Sequence, residues 1–360
     1  MPDNVIEMVP AYSQPSTNKL YVFGWPSHYG GADTKLDNTL RLVNSFMDIT
    51  VIPNQDMQLN QKEWYDQYTA MGINCISRDE FNKLGDKLDG FALALSNGSF
   101  TSGITLCRIA KEKGLKVLWG NEMMWNFPGE LSCIKSGYID AVLYSSKFNR
   151  EVLENSYNDA RPGIENYVVD NYIDPTRYPY KQRNNSQFAI GRLSRADKEK
   201  YSLDFPVFYE SLGLKNVKYR VMAWDSKLHS IYKWHSFGSE WEFLAQEQEK
   251  VTDFLYSLDL FVYKLGHTFR ESWGRTTVEA MLTGCVPVVP TGHNFAEFIL
   301  QGKTGFMCET FEDYRSVCQE LQRNPGLRNT IGKQASAYAG SVICDSKKHE
   351  EIWRRVFNVW

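Results

Sequence analysis

A chain of 360 residues, 42% hydrophobic and 14% aromatic, has enough apolar material for two packed domains. Its 40 basic and 43 acidic residues leave a net charge of -3, which offers nucleic acid no electrostatic footing. Seven cysteines, at 75, 107, 133, 285, 308, 318 and 344, are odd in number and contain no C-x-x-C, so they read as reduced core thiols. The opening MPDNVIEMVPAYSQPSTNKL has no charged segment followed by an apolar one, so it does not read as a signal peptide. No apolar run approaches the ~20 residues of a membrane span. The expectation is a cytoplasmic protein.

In chain order, LYVFGW at 20–25 is a strand-like run, followed by a glycine pair at Gly30-Gly31 and a helix with apolar Leu36, Leu40, Val43 and Met47. ITVIP at 49–53 is the next strand. Strand, glycine loop, helix and strand make a βαβ unit, which demands a parallel sheet with its ligand crevice at the strand C-termini. The alternation continues through strands at 90–96, 115–120, 139–146 and 165–170, with helices at 104–114 and 147–157. This is the pattern of a doubly wound α/β domain.

Residues 171–186, NYIDPTRYPYKQRNNS, are polar and rich in turn formers and read as an interdomain linker. A second alternation follows: strands at 187–192, 217–224 and 259–263, and helices near 203–213 and at 249–258. AEFILQG, TGFMC and FEDYRSVCQELQRN then predict helix, strand and helix. The final segment, 346–360, is amphipathic, with Ile352, Trp353, Val356, Phe357 and Trp360 on one face. The expected division is residues 1–175, 176–340 and a C-terminal helix within 341–360.

The chemistry concentrates in YKLGHTFRESWGRTTVEAMLTGCVPVVP, residues 263–290. Glu271 stands in a loop, seven residues separate it from Glu279, and a helix starts between them. Thr276 suits an N-cap, with Glu279 three residues on as its capping-box partner. A helix start also offers free N–H groups and the positive end of the macrodipole, which attract a phosphate. Carboxylates on either side of that start would flank a bound anion whose ligand carries hydroxyls, as a nucleotide sugar does. The plainer reading leaves Glu279 as a capping partner and Glu271 as a solvated loop residue.

The whole stretch resembles the E-x7-E region of retaining glycosyltransferases of family 4, in Glu271, Ser272-Trp273-Gly274-Arg275, Glu279-Ala280-Met281, Gly284 and Pro287-Val288-Val289. Three further segments are similar to that family. HYGGA at 28–32 resembles its GGA loop, in Gly30 and Gly31. GRLSRADKEK at 191–200 resembles its diphosphate-binding pattern, with Arg192 as the arginine, Lys198 or Lys200 as the lysine and Arg195 assisting. NYID at 171–174 resembles a hinge turn, with Tyr172 in place of a glycine. The departures lie at Asn121-Glu122, where many members keep a histidine, and at Gly292 to Glu297, where a second glycine pair is replaced by bulkier residues. Read on its own, Asn121-Glu122 is an exposed polar strand end.

The resemblance implies the GT-B fold: two Rossmann-like doubly wound domains facing a cleft, with the last helix crossing back to the first domain. It implies transfer of a hexose from a nucleotide sugar, with retained anomeric configuration, to a glycan or other hydroxyl acceptor. GDP-mannose comes first among its donors and UDP-glucose second. Glu271 would hold the donor sugar, Glu279 the ribose, and Ser272, Gly274, Arg275 and Thr276 the distal phosphate. Arg192 and a lysine would neutralise the diphosphate. No cluster with ligand spacing suggests a metal, so metal-independent action is expected. A homodimer is compatible with all of this. Two competing classes are a nucleotide-sugar-binding protein on a dead transferase scaffold and an NAD-dependent dehydrogenase. The latter needs G-x-G-x-x-G after the first strand, and WPSHYGGA does not supply it.

Overall fold

Strands that read as unbroken apolar runs belong in sheets covered on both faces, and both halves of the chain follow that rule. The computed structural model describes residues 17–28 and 31–359. Its first sheet contains β1 (Lys19–Phe23), β2 (Asp48–Ile52), β3 (Asn74–Cys75), β4 (Phe91–Leu95), β5 (Lys116–Asn121), β6 (Ala141–Tyr144) and β7 (Glu165–Val168). They pair in parallel in the order β3-β2-β1-β4-β5-β6-β7. The second sheet contains β8 (Phe188–Leu193), β9 (Val217–Met222), β10 (Trp241–Leu244), β11 (Leu260–Val262), β12 (Val286–Pro290) and β13 (Phe306–Cys308). It is also parallel, in the order β10-β9-β8-β11-β12-β13.

Each sheet reverses its winding beside its first strand, between β1 and β4 in one and between β8 and β11 in the other. Loops leaving neighbouring strands diverge at such a switch point and open a crevice at the strand C-termini. The loop after β1, with that after β5 two strands along, lines a shared cleft with the loops after β8 and β11. The last helix, Ser346–Phe357, buries Trp353, Val356 and Phe357 among Leu36, Leu40, Val43 and Phe91 of the first domain, with the Phe91 and Phe357 rings 5.1 Å apart. The chain thus returns to the domain it began with. Trp360, expected on that face, lies outside the described residues.

Several elements depart from the sequence expectation. Of AEFILQG, residues 296–302, only Ala296 and Glu297 are helical, as the end of a single 3-10 turn, Asn294–Glu297, and a loop follows. The Leu300 N–H is diverted to the Thr304 hydroxyl at 2.9 Å, so the helix does not propagate. Thr276 does not cap the helix Arg275–Thr283. The cap is Gly274, at φ 75°, where a Cβ would stand 2.6 Å from the Phe295 ring. Among the elements that the apolar pattern left out are the helices Lys62–Ala70, Arg78–Lys83, Glu130–Lys135, Ser226–Ile231 and Pro325–Tyr338 and the short strands β3 and β10. All seven cysteines are free and six are buried. Burial pushes the Cys285, Cys308 and Cys344 thiols up to about 12, so none of these three is poised as a nucleophile. No helix among the described residues is long and apolar enough to cross a membrane.

Candidate functional site

The cleft between the sheets encloses about 740 Å³. From the first domain it is lined by His28, Gly31, Thr34, Asp37 and Trp64 and by Glu122 to Trp125; Asn171, Arg177 and Tyr178 come from the connecting segment. From the second domain come Ser194, Arg195, Lys200, Met222, Glu247 and the run from Phe269 to Thr276, with Glu279. Most of the residues singled out in the sequence therefore share one surface. Gly31 opens the helix Gly31–Val43 and lines the cleft; Gly30 lies outside the described residues.

The two glutamates are held in the same manner. Glu271 accepts hydrogen bonds at Oε2 from the Tyr263 hydroxyl at 3.0 Å and from Lys200 Nζ at 3.4 Å. Glu279 accepts at Oε1 from the Tyr178 hydroxyl at 2.9 Å and from Arg275 Nε at 2.7 Å. Each carboxylate thus has one oxygen clamped by a cation and a phenol, and both residues line the cleft. Burial, and then the adjacent carboxylate, raises the pKa of both tyrosines, so the phenols stay protonated as donors. Burial depresses the pKa of Arg275 and Glu279 raises it; the net effect is upward, so the guanidinium stays charged. These clamps lock rotamers before any ligand arrives, which is how a site is preorganised. Tyr178 sits in a segment whose composition says only linker, and nothing in the sequence marks it. Tyr263 ends the apolar run DLFVY, eight residues before Glu271, and that position was its only signal.

The basic segment after β8 divides differently from the expectation. Arg192, expected as a direct diphosphate ligand, is fully buried and is not among the residues that line the cleft. Successive side chains on β8 alternate faces. Ile190 packs in the core that holds Tyr201 and Phe205, Leu193 packs against the opposite core, and Arg192 follows Ile190. Its guanidinium lies 4.0 Å from the Tyr201 ring centroid and 4.5 Å from that of Tyr263. It donates to the Lys264 carbonyl at 2.6 Å, the Lys200 carbonyl at 3.0 Å and the Ser194 hydroxyl at 3.1 Å. Arg192 thus props up the backbone from which Lys200 projects. Lys198 opens the 3-10 turn Lys198–Lys200 and lines a separate open depression beside Lys227, so the structure does not bring it to the cleft. Arg195 and Lys200 are the cations of this segment that reach it.

Beyond β5, Glu122 is not the exposed strand-end residue expected. It is 7% exposed and accepts from Lys35 Nζ at 2.7 Å, and Lys35 also donates to the Val169 carbonyl at 2.8 Å. Asn121 is fully buried and hydrogen-bonds the Glu130 carboxylate at 3.1 Å and the Trp125 carbonyl at 2.9 Å. Trp119 Nε1 and the Phe127 N–H also donate to Glu130. Burial raises the Glu130 pKa against those donors. This network shapes the loop that presents Met123, Met124 and the half-exposed Trp125 to the cleft. Among the described residues no group of three or more His, Cys, Asp or Glu could hold a metal ion.

Two parallel doubly wound domains, a cleft between their switch points and a terminal helix crossing back define the GT-B fold. No protein-family model matches this sequence, and no curated protein is found to be similar to it. The fold is nevertheless that of solved glycosyltransferases. Anabaena HepE, in complex with UDP-glucose, superposes with a TM-score of 0.73 at 14% identity, over 94% of this chain and 99% of that one. TarM gives 0.74 at 12% identity, over 94% and 98%. A glycosyltransferase from Rickettsia africae gives 0.73 at 11% identity, over 95% and 99%.

Proposed function

We propose that this chain is a glycosyltransferase that takes a hexose from a nucleoside-diphosphate sugar bound in the cleft and passes it to a hydroxyl acceptor. The observation that carries this reading is the pair of clamped carboxylates astride the start of the helix Arg275–Thr283, facing Arg195 and Lys200. The first N–H groups of a helix have no partners within it, and at Arg275 and Thr276 they border the cleft. A phosphate set there meets backbone donors and the positive end of the helix dipole. Arg195 and Lys200 add a planar fork and a point charge for the second phosphate. Glu279 offers its open oxygen to ribose hydroxyls, and Glu271 offers its own to hydroxyls of the transferred sugar.

In the reaction the bond from the anomeric carbon to the phosphate oxygen breaks, and a bond from that carbon to the acceptor oxygen forms. The leaving diphosphate gains charge as it departs, and Arg195, Lys200 and the helix start stabilise that charge where it develops. The resemblance to glycosyltransferase family 4 supports retention of configuration, with attack on the face the diphosphate leaves and the acceptor proton passing to a phosphate oxygen. The acceptor enters from the first-domain wall, where Trp125 and Trp64 provide aromatic surface beside Glu122. GDP-mannose stands first on the resemblance alone, whereas the HepE complex supports UDP-glucose. Positive charge for the diphosphate comes from side chains, and the reading needs no metal. Seven free thiols suit the cytoplasm.

Calorimetric titration with UDP-glucose, GDP-mannose, UDP-N-acetylglucosamine and NAD, without added metal, tests the reading. One nucleotide sugar is expected to bind, and NAD is not. In Glu279→Ala that affinity should fall by about 1.5–3 kcal/mol, roughly 10- to 100-fold, the worth of a hydrogen bond to a charged group. Unchanged affinity for the free nucleotide would remove Glu279 from the ribose, and binding of NAD alone would overturn the transferase reading.

A further inference from the structure

The turn Asn294–Glu297 stands where the sequence shows bulky residues in place of a glycine pair, and its contacts run to both domains. His293 Nδ1 accepts the Glu271 N–H at 3.2 Å. Asn294 Nδ2 donates to the Trp273 carbonyl at 2.7 Å. These bonds fix the loop of Glu271 from the second-domain side. At the end of the same turn Glu297 reaches into the first domain and accepts the Lys147 N–H at 3.0 Å on one carboxylate oxygen and the Phe148 N–H at 2.9 Å on the other. Those are the first two N–H groups of the helix Lys147–Ala160, where a negative charge also meets the positive end of the dipole.

The same helix end is tied to the Glu271 loop directly. Ser146 caps the helix by accepting the Asn149 N–H at 2.9 Å, and its hydroxyl donates to the Ser272 carbonyl at 2.6 Å. The Ser272 hydroxyl in turn donates to the Glu122 carbonyl at 2.6 Å. Residues 271–273 are thus suspended between the two domains, and their cross-domain bonds exist only while the domains stand together.

We propose that Glu297 is a positioning residue whose grip on the helix Lys147–Ala160 couples closure of the two domains to the placement of Glu271. Glu297 itself is exposed, so its substitution leaves the cores intact. The inference rests on the transferase reading for its catalytic consequence, while the mechanical coupling stands apart from it. Without the carboxylate the domains lose their link at this helix, and the 271–273 loop keeps its second-domain anchors but loses register with the first. Glu271 then meets the donor sugar out of place, and misplacement by about 1 Å costs roughly 10²-fold in rate.

Amide hydrogen exchange on the full chain, with and without UDP-glucose, is the test, together with kinetics of UDP-glucose turnover. In Glu297→Ala, exchange is expected to rise at 147–148 and also at 271–273, which Glu297 does not touch. Turnover should fall roughly 10²-fold with KM little changed, because the donor is held by the second domain, and Glu297→Gln, which keeps an acceptor oxygen, should recover most of the loss. Ser146→Ala, which cuts the same joint from the other domain, should also raise exchange at 271–273. Faster exchange confined to 147–148 in Glu297→Ala would overturn the coupling and leave Glu297 a local cap. A wild-type protein that turns over no nucleotide sugar would count against the transferase reading instead, and the exchange pattern would still decide the coupling.

Discussion

Lys200→Ala is expected to lower turnover of the nucleotide sugar by about 10²–10³, the usual loss when one charge-stabilising donor is removed from an acyl- or group-transfer site. Lys198→Ala, two residues away, should leave turnover unchanged. The two lysines begin and end one 3-10 turn, yet only Lys200 lines the cleft. Its ammonium lies 4.7 Å from the Phe269 ring centroid and 3.4 Å from Glu271 Oε2. That second distance is long for a charge-assisted hydrogen bond, which prefers about 2.7–2.9 Å, so the ammonium keeps donors for a phosphate while biasing the carboxylate's rotamer. Removing it strips charge from the leaving group and loosens Glu271 together, and both losses fall on the transition state. Steady-state kinetics on the two variants checks this, and equal losses at both positions would refute the assignment of Lys200.

The two sheets were legible because parallel strands buried on both faces leave apolar runs, as LYVF and PVVP do, with helices at amphipathic spacing between them. What escaped were elements whose stability comes from tertiary packing. β3 is two residues long, and β10 carries Glu242, paired at 2.8 Å with Arg220 on the neighbouring β9, inside an otherwise apolar strand. The helix Pro325–Tyr338 packs where Gly332 lies against the Gly284 carbonyl, a close approach that no hydrophobic period announces. In the site, Glu271 and Glu279 could be found from spacing, but the direction of a side chain on a strand could not. Arg192 directly precedes a basic loop and so resembles a ligand, and the pleat turns it into the core instead. Tyr178 was invisible for the opposite reason: its partner, Glu279, is 101 residues distant in the chain.

Arg192→Ala is expected to show itself chiefly as lost stability, by roughly 3–5 kcal/mol, the range for removing a large buried side chain. Its guanidinium stacks on Tyr201 and Tyr263, contacts worth about 2 kcal/mol when desolvated. Its truncation also leaves the part-buried Lys264 and Lys200 carbonyls without their donors, at less than the about 1–3 kcal/mol of a fully buried acceptor left unmade. These contributions overlap, so their sum overstates the loss. Arg192→Lys should recover little, because an ammonium cannot lie flat between two rings while donating in three directions. Urea unfolding monitored by tryptophan fluorescence would read the change as a lowered midpoint, set beside donor turnover of the protein that remains folded. An internal strut and a phosphate ligand part company here. A strut gives a large midpoint shift and, in the folded fraction, a loss of turnover no greater than that of Lys200→Ala, the residue it supports. An unshifted midpoint with turnover abolished would instead put the guanidinium on the diphosphate.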